Sequence, residues 1–97
     1  MVSIHRTQQF DRWLRNLRDT TARAKVLVRL ERLAKGNPGD VAPIGEGLSE
    51  LRIDYGPGYR VYYAKRGDEI TVLNGGDKDS QAAGIREAKT IARELEK

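Results

Sequence analysis

The stretch from Leu48 to Lys78 constrains the fold more than any other part of the chain. Leu51 and Ile53 alternate with Glu50, Arg52 and Asp54, and Val61 and Tyr63 alternate with Arg60 and Tyr62. A period of two is that of a strand with one face buried. Ile70 to Lys78 supplies a third run. Gly56-Pro57-Gly58 separates the first two runs, and here Pro is expected to preset φ at the turn's second residue and Gly to accept positive φ at the third. Gly67 marks the next reversal. Three consecutive antiparallel strands follow. With Leu51, Ile53 and Val61 turned to the core, Arg52, Asp54, Arg60 and Tyr62 share the opposite face.

The flanking segments change period. Val2 to His5 is a short alternation that reads as a first strand. Thr7 is a credible N-cap, followed by Phe10, Trp13, Leu14 and Leu17 at i, i+3, i+4 and i+7, which is one apolar stripe of a helix. Asp19-Thr20-Thr21 caps a second helix, whose stripe is Val26/Leu27, Leu30 and Leu33/Ala34. Gly36-Asn37-Pro38-Gly39 ends it, and the short loop between the two helices suggests an antiparallel hairpin. Asp40 to Gly47 reads as a connection. Ile85, Ala88, Ile91, Ala92 and Leu95 outline a closing helix, with Asp77, Asp79 and Ser80 as candidate caps. The order β-α-α-β-β-β-α, with strands clustered away from helices, predicts an α+β fold with a mainly antiparallel sheet. Residues 1–97 are expected to form a single domain.

Charge narrows the partners. The net charge is +4, and residues 1–36 carry +6 of it, against −2 for residues 37–78 and zero for the remainder. A basic N-terminal part suits a polyanion or an acidic protein, although a solvated surface looks the same in sequence. Arg12 and Arg15 lie off the first helix's stripe; Lys25, Arg29 and Arg32 lie off the second's. These five are candidate contacts to RNA backbone or to acidic residues of a partner. No apolar run approaches the roughly 20 residues of a membrane span. A signal-peptide pattern is also missing, since Asp11, Arg12 and Arg15 interrupt the run from Phe10 to Leu17. Together with the lack of cysteine, this fits a cytoplasmic protein.

Few kinds of chemistry remain. One histidine and no cysteine leave little to hold a metal, and Asp77-x-Asp79 stands where acids favour a helix N-terminus. His5 alone cannot run a two-histidine acid–base cycle. Gly75-Gly76-Asp77-Lys78 lies between strand and helix but lacks the spacing and Lys-Ser/Thr ending of a nucleotide-binding loop. The sheet face offers more. Arg52 and Arg60 on adjacent strands, with Lys78 after the third, could clamp a phosphodiester and stabilise charge developing on it. Asp54 and Tyr62 would hold these groups or move a proton. The plainer alternative is a set of surface cross-strand pairs, each worth under about 1 kcal/mol.

Several blocks carry a resemblance over essentially the whole chain: Gly47-Leu-Ser-Glu-Leu-Arg-Ile53, Gly56-Pro-Gly-Tyr-Arg-Val-Tyr-Tyr63 and Gly75-Gly-Asp-Lys-Asp-Ser-Gln81. Phe10-x-x-Trp13-Leu14, Arg29-Leu-x-Arg32 and Gly36-Asn37-x-Gly39-Asp40 fit as well. Together they resemble the phage-derived addiction-module killer proteins, a branch of the RelE/ParE/HigB toxin superfamily. The resemblance implies a compact toxin fold and a type II toxin–antitoxin module, with a helix-turn-helix antitoxin as neutralising partner. RelE-like members bind the ribosomal A site and cleave mRNA without metal or other cofactor, through attack of a ribose 2′-OH assisted by basic residues of the sheet. ParE-like members instead poison DNA gyrase on the same fold. Carried over by motif, the basic set is Arg60, Arg52 and Lys78. A tyrosine that RelE has in its C-terminal segment has no counterpart, because Gln81 to Leu95 contains no aromatic, and Gly84 stands where the branch usually has an acid.

Overall fold

In a computed structural model, which describes residues 2–96, the chain runs β1 (Ser3–Arg6), α1 (Gln8–Asn16), α2 (Thr20–Ala34), β2 (Val41–Gly45), β3 (Leu48–Ile53), β4 (Tyr59–Arg66), β5 (Glu69–Asp77) and α3 (Gln81–Leu95). The strands form one sheet in the order β1-β5-β4-β3-β2. Neighbours are antiparallel except β1, which pairs parallel with β5 at one edge. The expected α+β class and mainly antiparallel sheet are therefore present. The segment expected to be a plain connection from Asp40 contains a further strand, β2, paired antiparallel with β3. Pro43 hides it in the sequence, and an edge strand is where a sheet tolerates proline.

Local chemistry sets the element ends. The Thr7 hydroxyl accepts from the Phe10 amide at 3.1 Å, and Gly36 past the end of α2 adopts φ +86°. Asp19 starts α2 by accepting from the amides of Thr21 at 2.9 Å and Ala22 at 3.2 Å. Its other carboxylate oxygen accepts from the Tyr55 hydroxyl at 2.9 Å. That bond holds Asp19 below the ordinary carboxyl range and raises Tyr55. The turn after β3 differs from expectation. Gly58 N–H donates to the Tyr55 carbonyl at 3.1 Å, so Gly56 with φ +57° takes the second position and Pro57 the third.

Both sheet faces are covered, by different helices. One face packs Leu51, Ile53, Val61, Tyr63, Ile70 and Val72 under Phe10 and Leu14 of α1 and Val26, Leu30 and Leu33 of α2. The second half of each predicted pair on α2 departs from the stripe: Leu27 is exposed, and Ala34 only half-buried. On the other face α3 lays Ala88 and Ile91 over Leu48, Tyr62, Ala64 and Leu73, leaving Leu95 exposed. A register shift between β4 and β5 opposite Tyr62/Tyr63 turns the consecutive Leu73 and Asn74 toward α3. Asn74 uses this to donate to the Gly84 carbonyl at 3.1 Å. Among the described residues no helix is long and apolar enough to cross a membrane.

Candidate functional site

On the second face α3 covers only part of the sheet. Beyond its first residue, Gln81, the ends of β3 and β4 stay open. Arg52 and Arg60 face each other there as direct register partners, with Glu50 opposite Tyr62 one step further in. A cleft of about 460 Å³ lies against this end, lined by Asp40, Arg52, Asp54, Arg60 and Lys78 and floored by the Gly56–Gly58 turn. Gly58 favours glycine by its backbone, with φ +81°, and lies beside Lys78 and Arg60. Four of the five residues expected to do chemistry, Arg52, Asp54, Arg60 and Lys78, thus meet in one cleft.

Tyr62 is the exception. It shares the face of the two arginines but is fully buried under α3, with its hydroxyl unpartnered among the described residues and no part of it lining the cleft. Burial first, then the charge of Glu50, push its phenol up to about 12. At any ordinary pH it is a neutral core side chain.

Glu50 is the residue the sequence pattern disguised. Its alternation with Leu51 marks it as outward-facing, and so it is, but α3 and the arginine stems cover that outward face and leave it 1% exposed. Oε1 accepts from Gln81 Nε2 at 2.6 Å and Oε2 from Arg52 Nε at 3.1 Å. Arg60 Nε lies 3.7 Å from Oε1, too far for a hydrogen bond, and makes none elsewhere among the described residues. A buried carboxylate survives only with such partners. The available clue was its i, i+2 spacing from Arg52 on a strand buried on both sides.

The helical basic residues separate into two kinds. Arg29 was expected among the partner-facing set, but it is a staple: Nη1 donates to the Arg52 carbonyl at 2.6 Å, and Nη2 to those of Pro38 at 3.0 Å and Asp40 at 3.2 Å. It ties α2 to both lips of the cleft. Lys25 sits 5.2 Å over the Tyr55 ring and, with Arg32, stays exposed along a groove whose floor is Val28, Ile53 and Asp54. Arg12 and Arg15 are exposed on α1. Asp77 and Ser80 bond each other, Ser80 N–H to Asp77 Oδ1 at 3.0 Å, without the Ser80 side chain capping α3. His5 lies exposed on edge strand β1, 3.9 Å from Glu69. Among the described residues no group of three or more metal-ligating side chains forms.

A family model for phage-derived Gp49-like proteins (DUF891) matches residues 12–96. The chain belongs to this family. An uncharacterised protein of Haemophilus influenzae is 44% identical to this Gp49-like protein over 95 residues, spanning 97% of this chain and 96% of its own. Two solved structures share the fold at low identity. The crystal structure of a copper-bound mutant toxin from Helicobacter pylori has a TM-score of 0.58 at 20% identity, over 82% of this chain and 98% of its own. The solution structure of the conserved hypothetical protein HP0894 of Helicobacter pylori has a TM-score of 0.56 at 23% identity, over 81% and 97%.

Proposed function

We propose that this Gp49-like protein is the toxin of a type II toxin–antitoxin module in the RelE/ParE/HigB superfamily, held in check by a helix-turn-helix antitoxin, and that it cleaves mRNA on the ribosome in the cytoplasm. The observation that carries the reading is the pair of register-partnered arginines on an otherwise covered sheet, opening with Lys78 into one cleft. Glu50 offsets one of the two like charges across the ladder, which leaves one positive charge uncompensated beside the cleft. A phosphodiester answers that charge: each guanidinium offers a planar fork to its oxygens.

In this reading the ribose 2′-oxygen attacks the adjacent phosphorus, and the phosphorus–O5′ bond breaks, the departing O5′ taking a proton from water, to leave a cyclic phosphate and a 5′-hydroxyl. Arg52 and Arg60 stabilise the extra negative charge on the equatorial oxygens, and Lys78 adds a mobile cation at the cleft edge. Asp54, in the same lining, supplies a carboxylate for the 2′-hydroxyl proton. The fold shared with a Helicobacter pylori toxin supports the toxin assignment.

The test is primer extension on mRNA bound to programmed ribosomes. The wild type is expected to give discrete cuts, and Arg60→Ala to slow them on the order of 10²–10³-fold with an unaltered thermal midpoint. Full cleavage by a folded Arg60→Ala protein would remove Arg60 from the site. Intact messages together with broken chromosomal DNA would replace the nuclease reading with that of a gyrase poison.

A further inference from the structure

Glu50 takes no part in the chemistry just described, yet it is the charged side chain most completely withdrawn from water in the described chain. It touches both arginines by the same edge. Arg52 presents Nε to Oε2 at 3.1 Å and Arg60 presents Nε to Oε1 at 3.7 Å. An arginine held at Nε keeps its two terminal nitrogens free. For Arg52 the nearest other carboxylate is Asp40, 4.0 Å from Nη1, beyond hydrogen-bond reach. For Arg60, Nη1 makes only long bonds, 3.4 Å to the Gly58 carbonyl and 3.3 Å to that of Tyr59. Arg60 is nevertheless largely enclosed, with a side-chain exposure of 13%. It is a guanidinium desolvated without its full set of acceptors, a state that costs free energy until an acceptor arrives.

We infer that Glu50 is the positioning residue of the site: its single carboxylate, oriented by Gln81, hydrogen-bonds Arg52 Nε and ion-pairs with Arg60 at 3.7 Å, so that both forks converge on one anionic oxygen-rich ligand, a phosphodiester. The inference deepens the nuclease reading and rests on it for the identity of the ligand, while the geometry of the clamp stands apart from it. Three features agree. The carboxylate offsets one of two positive charges that register places directly opposite each other. Gln81, the first residue of α3, donates to Oε1 at 2.6 Å, which leaves Oε2 for Arg52. The residual net charge of the Glu50–Arg52–Arg60 trio is positive, and the two arginines, not Glu50, line the cleft.

Replacing Glu50 by Gln keeps the side chain's size but sets an amide against two arginine donors. Glu50→Asp restores the charge one methylene short. Two readouts test the clamp. In the first, NMR relaxation of arginine Nε–Hε groups in the wild type should show Arg52 and Arg60 as ordered as the backbone, with the exposed Arg12 and Arg15 mobile. Glu50→Gln should release Arg52 and Arg60 while leaving backbone amide shifts elsewhere in place. Equal mobility of all four in the wild type overturns the inference whether or not any variant folds.

In the second readout, cleavage on programmed ribosomes, Glu50→Gln should lower kcat on the order of 10²-fold, the loss expected of misplaced groups, with KM nearly unchanged. Glu50→Asp should recover part of it. A folded Glu50→Gln protein with wild-type kcat refutes the positioning role and leaves the nuclease reading standing. A wild-type protein that cuts no message refutes the nuclease reading, and the arginine relaxation then decides the clamp alone.

Discussion

At Gly84 the backbone of α3 passes so close to the sheet that a Cβ there would lie 2.8 Å from both the ring and the hydroxyl oxygen of Tyr62. This explains a glycine inside a helix, where it costs about 1 kcal/mol relative to alanine: close approach seals the second core cluster. Gly75 meets the same demand on the other face, where a Cβ would fall 2.3 Å from the Trp13 ring. Gly84→Val should therefore overpack the contact and cost about 1–3 kcal/mol, lowering the thermal midpoint by several degrees. Tyr62→Phe should act oppositely. It removes a buried hydroxyl that has no partner among the described residues, so the midpoint should hold or rise. Because that hydroxyl lies outside the cleft, the cleavage rate should also hold. A loss of cleavage by folded Tyr62→Phe would return Tyr62 to the chemistry.

Helix α2 works as both wall and brace. Its buried stripe of Ala22, Val26, Leu30 and Leu33 covers the first sheet face, while Asp19 at one end and Arg29 in the middle reach strand ends and loops. Arg29 satisfies carbonyls of Pro38, Asp40 and Arg52, all outside its own helix, of which the last two residues line the cleft. Arg29→Ala should cost about 2 kcal/mol or more, since charged hydrogen bonds to partly buried carbonyls are lost together. Arg32→Ala, at an exposed position of the same helix, should leave the midpoint within about 0.5 kcal/mol of wild type. Chemical denaturation of the two variants checks the contrast, and equal midpoints would deny Arg29 its bracing role. β2 completes the wall of the cleft by placing Asp40 just before Val41, beside Arg52, whose amide donates to the Asp40 carbonyl at 2.9 Å.

Across the molecule the cleft and the α2 groove adjoin, with Ile53 and Asp54 lining both. Lys25 and Arg32 therefore extend the positive rim of the arginine pair, whereas Arg12 and Arg15 border a separate hollow on α1 with Gln8 and Asp11. Reversing Lys25 and Arg32 to Glu should weaken binding to programmed ribosomes and flatten its salt dependence, with kcat at saturation retained. The matching reversal of Arg12 and Arg15 should do less. Equal losses from both pairs, read from binding isotherms at two salt concentrations, would show that the whole basic surface acts without regard to the cleft.

The main helix stripes, the Thr7 and Asp19 caps, the Leu48–Lys78 strands and the shared parity of Arg52 and Arg60 were legible from residue order, because each depends on neighbours within a few positions. Period and capping are local physics. Parity also assigned Tyr62 and Glu50 correctly to the arginines' face, but it could not say which positions on that face are covered. That was decided by where α3 lands, and α3 lands where Gly84 lets it touch Tyr62 and where the shift after Tyr62 turns Leu73 and Asn74 upward. The same docking buries Glu50 and brings Gln81, 31 positions away, onto its carboxylate. Arg29 reads as one more exposed cation until the loop after α2 folds back with free carbonyls. Charge and hydrogen-bonding capacity belong to a residue wherever it stands; whether they face water, a carbonyl or a ligand is set by contacts between segments far apart in the chain.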